Sequence, residues 1–192
     1  MKFLSSFAFA FSALAASACA SDGVFIERAA QVEGIYRVDS HLLNDKACSP
    51  GGTGLQDMHA FAFAKRSNVL GTDMLQVYSC ASLADCRQKA ALTPFEGTID
   101  FGFTLSDISG ETLTGFEVTT GYAEGSTCTK PELSDIELTL TGGKMKIEKA
   151  TQIGHSYPSD NGACTTDKGR AASEDAPCAQ METLTATFVE AL

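Results

Sequence analysis

Apolar and polar residues alternate with a period of two along most of this chain, and that alternation restricts its fold more than any other feature. Tyr36, Val38, Ser40 and Leu42 share one face of the run 34–43. His59, Phe61 and Phe63 alternate with Ala60, Ala62 and Ala64, and the run 74–80 is rich in strand-forming residues. Ile99, Phe101, Phe103 and Leu105 repeat the pattern, followed by Phe116, Val118, Thr120 and Tyr122. Ile136, Leu138 and Leu140, then Met145 and Ile147, and finally Leu184, Ala186 and Phe188 complete it. Eight such runs, each with one apolar face, predict an all-β antiparallel barrel or sandwich. Gly142-Gly143 between two of them predicts a two-residue hairpin turn.

One short helix is expected within this series. Ser82 and Asp85 have the spacing of an N-cap and its reciprocal partner, good helix formers run on to Leu92, and Thr93-Pro94 stops them. Its place between the third and fourth strands predicts that it plugs or flanks one end of the sheet.

The first nineteen residues read differently. Lys2 precedes an apolar stretch from Phe3 to Ala16 that is too short to span a bilayer, and small residues follow it, as in an export signal. Ala16-Ser17-Ala18-Cys19 resembles a bacterial lipobox, with Ala16 where the pattern usually has Leu. That resemblance implies that Cys19 becomes the first mature residue and carries acyl chains. Ala20 after it is similar to residues that accompany outer-membrane sorting in Gram-negative bacteria. The alternative is cleavage after Ala18-Cys19-Ala20, releasing a soluble protein that starts at Ser21. The expected organisation is therefore an export signal over 1–19, an extension or tether over 20–33, and one barrel domain over 34–192.

The chain has seven cysteines, so setting Cys19 apart leaves an even number able to pair in an oxidising compartment. Cys48, Cys80, Cys86, Cys128, Cys164 and Cys178 all fall in or beside the long links 44–57, 81–97, 123–132 and 156–180. In an up-and-down meander those links share one end, and the short links 67–72, 107–111 and 142–143 share the other. One rim is elaborated and stapled, and the other is plain.

That asymmetry resembles the lipocalin-like (calycin) superfamily, whose long loops frame the mouth of an eight-stranded cup. Gly34-Ile35-Tyr36 looks like the family's opening Gly-x-Trp with Tyr in place of Trp. The cysteine soon after the first strand and the Cys-x5-Cys at Cys80 and Cys86 also look like small exported bacterial proteins of unknown function. The expected fold is thus a single antiparallel up-and-down eight-stranded barrel, lipocalin-like, with one short helix and disulfide stabilisation. In such a closed barrel the first strand neighbours the last, which predicts Cys48 with Cys178. The sixth and seventh strands are neighbours, which predicts Cys128 with Cys164. Cys80 and Cys86 remain to join the third strand to the helix.

A formal net charge of −10 argues against nucleic acid or anionic lipid as a partner. Membrane association is expected only through an N-terminal lipid. No nucleophile elbow, zinc-protease motif, phosphate loop or dinucleotide fingerprint occurs. Ser156, His155 and Asp160 can be assembled into a Ser-His-Asp set, but any loop rich in small polar residues offers such triples, so no enzyme is expected. His155 with Cys164 and Cys178 fits no zinc spacing, and disulfides are the better account of those cysteines. Asp160-Asn161-Gly162 with Asp167, Glu174 and Asp175 lacks the order of a calcium loop and reads as a solvated acidic loop. No metal or cofactor is expected, and the phenylalanines Phe61, Phe63, Phe101, Phe103, Phe116 and Phe188 read as barrel filling. The expected role is an exported envelope protein that binds a small apolar molecule or a protein partner at the disulfide-bearing rim. A structural barrel with a filled interior is the alternative, and a hydrolase comes third.

Overall fold

The structure, a computed structural model, describes residues 14–54, 60–92 and 102–192, with the backbone alone described over 14–22. His59, Ile99, Phe101, Thr93-Pro94 and the side chain of Cys19 therefore lie outside the described residues. Helix α1 (Leu14–Val32) leads into β1 (Gly34–Asn44), and the short β2 (Thr53–Gly54) pairs back onto it. Next come β3 (Phe61–Val69), β4 (Thr72–Cys80), α2 (Leu83–Ala91), β5 (Gly102–Leu105), β6 (Asp107–Ser109) and β7 (Thr112–Thr119). A small hairpin, β8 (Tyr122–Glu124) and β9 (Thr127–Thr129), precedes a long one, β10 (Glu132–Thr141) and β11 (Lys144–Ile153). β12 (Tyr157–Pro158), α3 (Thr166–Ser173) and β13 (Cys178–Glu190) complete the chain.

Nine strands lie side by side in the order β5-β4-β3-β1-β13-β11-β10-β7-β6, forming a nearly closed antiparallel barrel. The expectation of eight is corrected, and the reason is local. The run 102–109 breaks at Ser106, so that β5 pairs with β4 while β6 pairs with β7. Ser106 N–H donates to Thr114 O at 2.9 Å across the break. The two edges of the path are thus consecutive in sequence, and the barrel closes through one bent segment. Closure brings β7 so close to β5 that a Cβ on Gly115 would lie 2.1 Å from Thr104 O. Only glycine fits there.

The interior is filled from below. Phe25, Ala29 and Val32 of α1 belong to the same buried cluster as Tyr36, Val38, Leu75, Val77, Phe103, Leu105, Leu113, Ile136, Leu138, Met145, Ile147 and Leu184. The helix packs against β3, β4, β6 and β7. The stretch 20–33, expected as an extension, thus carries core residues at its C-terminal half. Room for them comes from β3, whose inward residues are Ala62 and Ala64. The expectation that Phe61 and Phe63 fill the barrel is corrected accordingly. They face out, and with Ile35, Cys80 and Cys86 they form a second cluster beneath α2, which lies on the outer wall rather than across an end. Phe116 is 53% exposed and Phe188 43%, so neither is core; Phe103 is.

Tyr36 joins helix to barrel. Its buried hydroxyl donates to Val32 O at 2.6 Å, satisfying a carbonyl that the helix end leaves unpaired. Burial pushes the phenol up to about 12.

Strand β1 also departs from its expected faces. Its ladder with β13 slips between Val38 and Ser40, a bulge at Asp39. Tyr36 and Val38 face inward as expected, but beyond the bulge the inward position passes from Ser40 to His41, which pairs with Leu184. A one-residue slip exchanges the faces of everything that follows.

Candidate functional site

The two ends of the barrel differ. The tight turns at 70–71, 110–111 and 142–143 share one end with α1. Gly142 and Gly143 both take positive φ, 58° and 75°, as the two-residue turn between β10 and β11 requires. Cys48 bonds Cys178 at the other end, Cys80 bonds Cys86 beneath α2 on the outer wall, and Cys128 bonds Cys164 beside a second, small sheet, with Cα separations of 5.6, 5.2 and 5.7 Å. Strand adjacency brings the first pair together, because β1 ladders with β13 up to Asn44 and Met181.

The third pair anchors a small superstructure. Strands β12, β9 and β8 form a separate sheet, and Cys128, Tyr157, Ala172 and Cys164 share one cluster. The Tyr157 hydroxyl lies 2.7 Å from Thr120 O and 3.2 Å from Thr165 O, tying the link to the end of β7. The loop expected to be solvated and acidic keeps its acidic residues Asp160, Asp167, Glu174 and Asp175 exposed, and it carries regular structure as well. Asp160 and Ala163 exchange backbone hydrogen bonds of 2.8 and 2.9 Å around Asn161-Gly162, and α3 rests against β7 and β10. There the Arg170 guanidinium sits 4.8 Å above the outward Phe116 ring. Asp160 is committed to Lys168, while His155 and Ser156 are exposed. Cys164 and Cys178 are each in a disulfide, leaving no thiolate beside His155 for zinc. Among the described residues no three His, Cys, Asp or Glu side chains are grouped to hold a metal, and no helix is long and apolar enough to cross a membrane.

Register then shows what lies inside the mouth. On β11 the inward row runs Met145, Ile147, Lys149, Thr151, and on β13 Ala186, Leu184, Glu182, Gln180 faces it pair by pair. On β10 Ile136 pairs with Lys149 and Ser134 with Thr151; on β7 Gly115 pairs with Ile136 and Glu117 with Ser134. Every one of these rows is apolar at the helix-plugged floor and polar toward the disulfide rim. His41 Nε2 donates to Glu182 Oε1 at 2.6 Å, with the ring only 4% exposed. Lys149 donates to Glu117, and Ser134 and Thr151 exchange a hydroxyl bond of 2.8 Å. Ser79, one residue from the rim end of β4, pairs with inward Ala62. Its Oγ is buried and without a hydrogen-bond partner among the described residues. Sequence reasoning missed this mouth, although the signal is present: three consecutive inward positions ending in Lys149, Glu182 or Glu117.

Two clefts are described, one of about 450 Å³ at the seam beside Gly115 and one of about 200 Å³ beside Phe25 and Ile26 of α1. Comparison of the chain with protein-family models, curated proteins and solved structures gives no match.

Proposed function

We propose that this is an exported, lipocalin-like envelope protein that acts as a binding module through its disulfide-bearing rim. The observation that carries the reading is the division between the ends. Cys48–Cys178, Cys128–Cys164 and the small sheet elaborate one end, while α1 fills the other. Shaped, cross-linked loops on a rigid barrel are what recognition surfaces are built from. Disulfides fit an oxidising compartment outside the cytoplasm. In this reading Cys19 carries the lipid, or cleavage before Ser21 releases the domain. Because α1 occupies the floor, an apolar ligand deep in the barrel is disfavoured, and the rim and mouth become the binding surface. A purely structural barrel is the second reading, favoured by the contiguous packed floor.

Native mass spectrometry of protein from its own source tests both. A retained ligand or partner, lost when the loop 159–176 is shortened with Cys164 still paired, supports the binding module. A bare chain that captures nothing supports the structural barrel. The same spectrum reports an acyl chain on Cys19 or an N-terminus at Ser21.

A further inference from the structure

We infer that the plain end of the barrel, where the tight turns and α1 lie, is a bilayer-contacting surface. Leu70 seats among neutral lipid headgroups there, and the opposite rim is held away from the membrane. This rests on the reading of Cys19 as the acylated residue and adds the surface that meets the lipid. Leu70 carries the argument. It takes the first position of the Leu70-Gly71 turn between β3 and β4, with φ of 52° followed by 87°. A two-residue turn with both angles positive favours asparagine, aspartate or glycine, because a bulkier side chain crowds its own backbone. Yet the Leu70 side chain is fully exposed, so no packing within the barrel compensates. Asn68 already secures the turn, its Oδ1 accepting from Gly71 N–H at 3.1 Å. A strained, unpacked leucine at a turn tip adds nothing to the fold, and local strain of this kind concentrates at positions that contact something else.

The same end gathers most of the exposed apolar side chains. Phe188 N–H donates to Gly143 O at 2.8 Å, so β13 passes the β10–β11 turn there and runs on through Val189 to Leu192. Of the large apolar residues standing exposed among the described residues, Val24, Leu70, Phe188, Val189 and Leu192 thus belong to the plain end. Tyr122 and Ile153 lie toward the other end, and Phe116 lies beneath Arg170 on the wall. What covers the plain end follows from where α1 leads. Phe25 and Ile26 share a cleft of about 200 Å³ with Ser67, Asn68 and Met74 of the β3–β4 hairpin. Cys19 precedes Phe25 by six residues of the same helix, which places the two Cα atoms about 9 Å apart. Leu70 is three residues past Ser67, about 10 Å along the strand. An acyl chain on Cys19 therefore brings the bilayer surface within reach of Leu70. The opposite rim is out of reach, since β11 has 10 residues, about 33 Å of strand and about 25 Å of barrel height at the usual tilt. The whole-chain charge of −10 opposes anionic lipid and so selects a neutral headgroup layer as the partner.

The chain contains no tryptophan, so a single introduced one reports its own surroundings. The acylated protein is reconstituted in phosphatidylcholine vesicles containing brominated lipid, carrying either Leu70→Trp or, at the other end, Tyr122→Trp. Both positions are exposed, so neither substitution disturbs the core, and thermal unfolding matching the parent protein checks this. Leu70→Trp is expected to shift its emission to the blue and to lose intensity to the brominated lipid, whereas Tyr122→Trp does neither. Water-exposed, unquenched emission from Leu70→Trp in the acylated protein overturns the inference and leaves the lipid reading standing. Equal quenching at both positions overturns it as well, because the rim then meets the bilayer too. A blue shift that appears without vesicles and grows with protein concentration overturns it in favour of a second copy of the chain. A mature protein that begins at Ser21 with no acyl chain, seen by mass spectrometry, removes the lipid reading and the inference together.

Discussion

Replacing Gly115 with alanine tests the closure of the barrel directly. Its φ is ordinary, so the cost of a side chain there is purely steric. The added Cβ lies 2.1 Å from Thr104 O and 3.0 Å from Leu105 Cα. An unstrained carbon–oxygen approach is roughly 3.3 Å, so β7 must withdraw from β5 by about 1 Å. That movement stretches the adjacent Ser106 N–Thr114 O bond, which is 2.9 Å long. Overpacking costs about 1–3 kcal/mol and a lost backbone hydrogen bond about 1, giving a loss of about 2–4 kcal/mol. For a domain of this size that lowers Tm by roughly 4–16 °C. The assay is thermal and guanidinium unfolding under non-reducing conditions, with Gly54→Ala as the control, since nothing lies within 4 Å of a Cβ there. If Gly115→Ala melts together with Gly54→Ala, β5 and β7 do not touch and the closed-barrel argument is wrong.

Phe25→Ala is expected to cost about 3–5 kcal/mol because the ring is 4% exposed within the barrel cluster; an unchanged guanidinium midpoint would make α1 a loose tether. Removing the Cys48–Cys178 bond by paired serine substitution, across a sequence separation of 130, is expected to cost about 5 kcal/mol on chain-entropy grounds. Removing Cys80–Cys86, separation 6, costs about 2, and the reverse order in denaturation midpoints would refute the ranking. Tyr36 holds its proton up to about 12 in the native state and near 10 when unfolded, so above pH 10 the folded chain binds more protons. Stability therefore falls between about pH 10 and pH 12, by about 2–3 kcal/mol; Tyr36→Phe should lower stability at pH 7 by about 1 kcal/mol while flattening that alkaline limb.

The sheet was legible because each inward row is apolar over several consecutive alternate positions, which is how an antiparallel strand with one buried face reads. The helix at Leu83–Ala91 was legible from its cap: the Ser82 hydroxyl accepts from Asp85 N–H, and Asp85 Oδ2 accepts from Ala81 N–H. What alternation leaves undetermined is which face turns inward. On β3 both faces are apolar, alanine on one and phenylalanine on the other, and larger side chains suggest the core. The interior instead takes the alanines, because α1 supplies the missing volume, and that is a tertiary fact. On β7 the row containing Phe116 looked inward for the same reason, yet Leu113 and Gly115 are inside and Phe116 meets Arg170. The bulge at Asp39 was not read from the sequence, although Asp39 is a poor strand former inside the run, because a single polar residue on an outward position breaks no alternation; without the bulge His41 points outward.

These errors have one origin, and it bears on function. Counting apolar residues treats the whole inner face as core, whereas a barrel open at one end has a core only where something closes it. Here the closing element is α1, and its reach sets the level at which inward side chains may become charged. Below that level Ile147 and Leu184 are fully buried; two residues higher on the same strands stand Lys149 and Glu182. Charges withdrawn from water are costly unless paired, and the mouth keeps each of its four in contact with an opposite or titratable partner. A barrel selected for stability alone gains by continuing the aliphatic rows to the rim, since replacing buried ion pairs with well-packed apolar groups is often neutral or stabilising. The retained charges, the buried bulge-placed His41 and the links cross-linked by Cys48–Cys178 and Cys128–Cys164 lie toward the same end of the barrel, and the recognition role we propose rests on that arrangement.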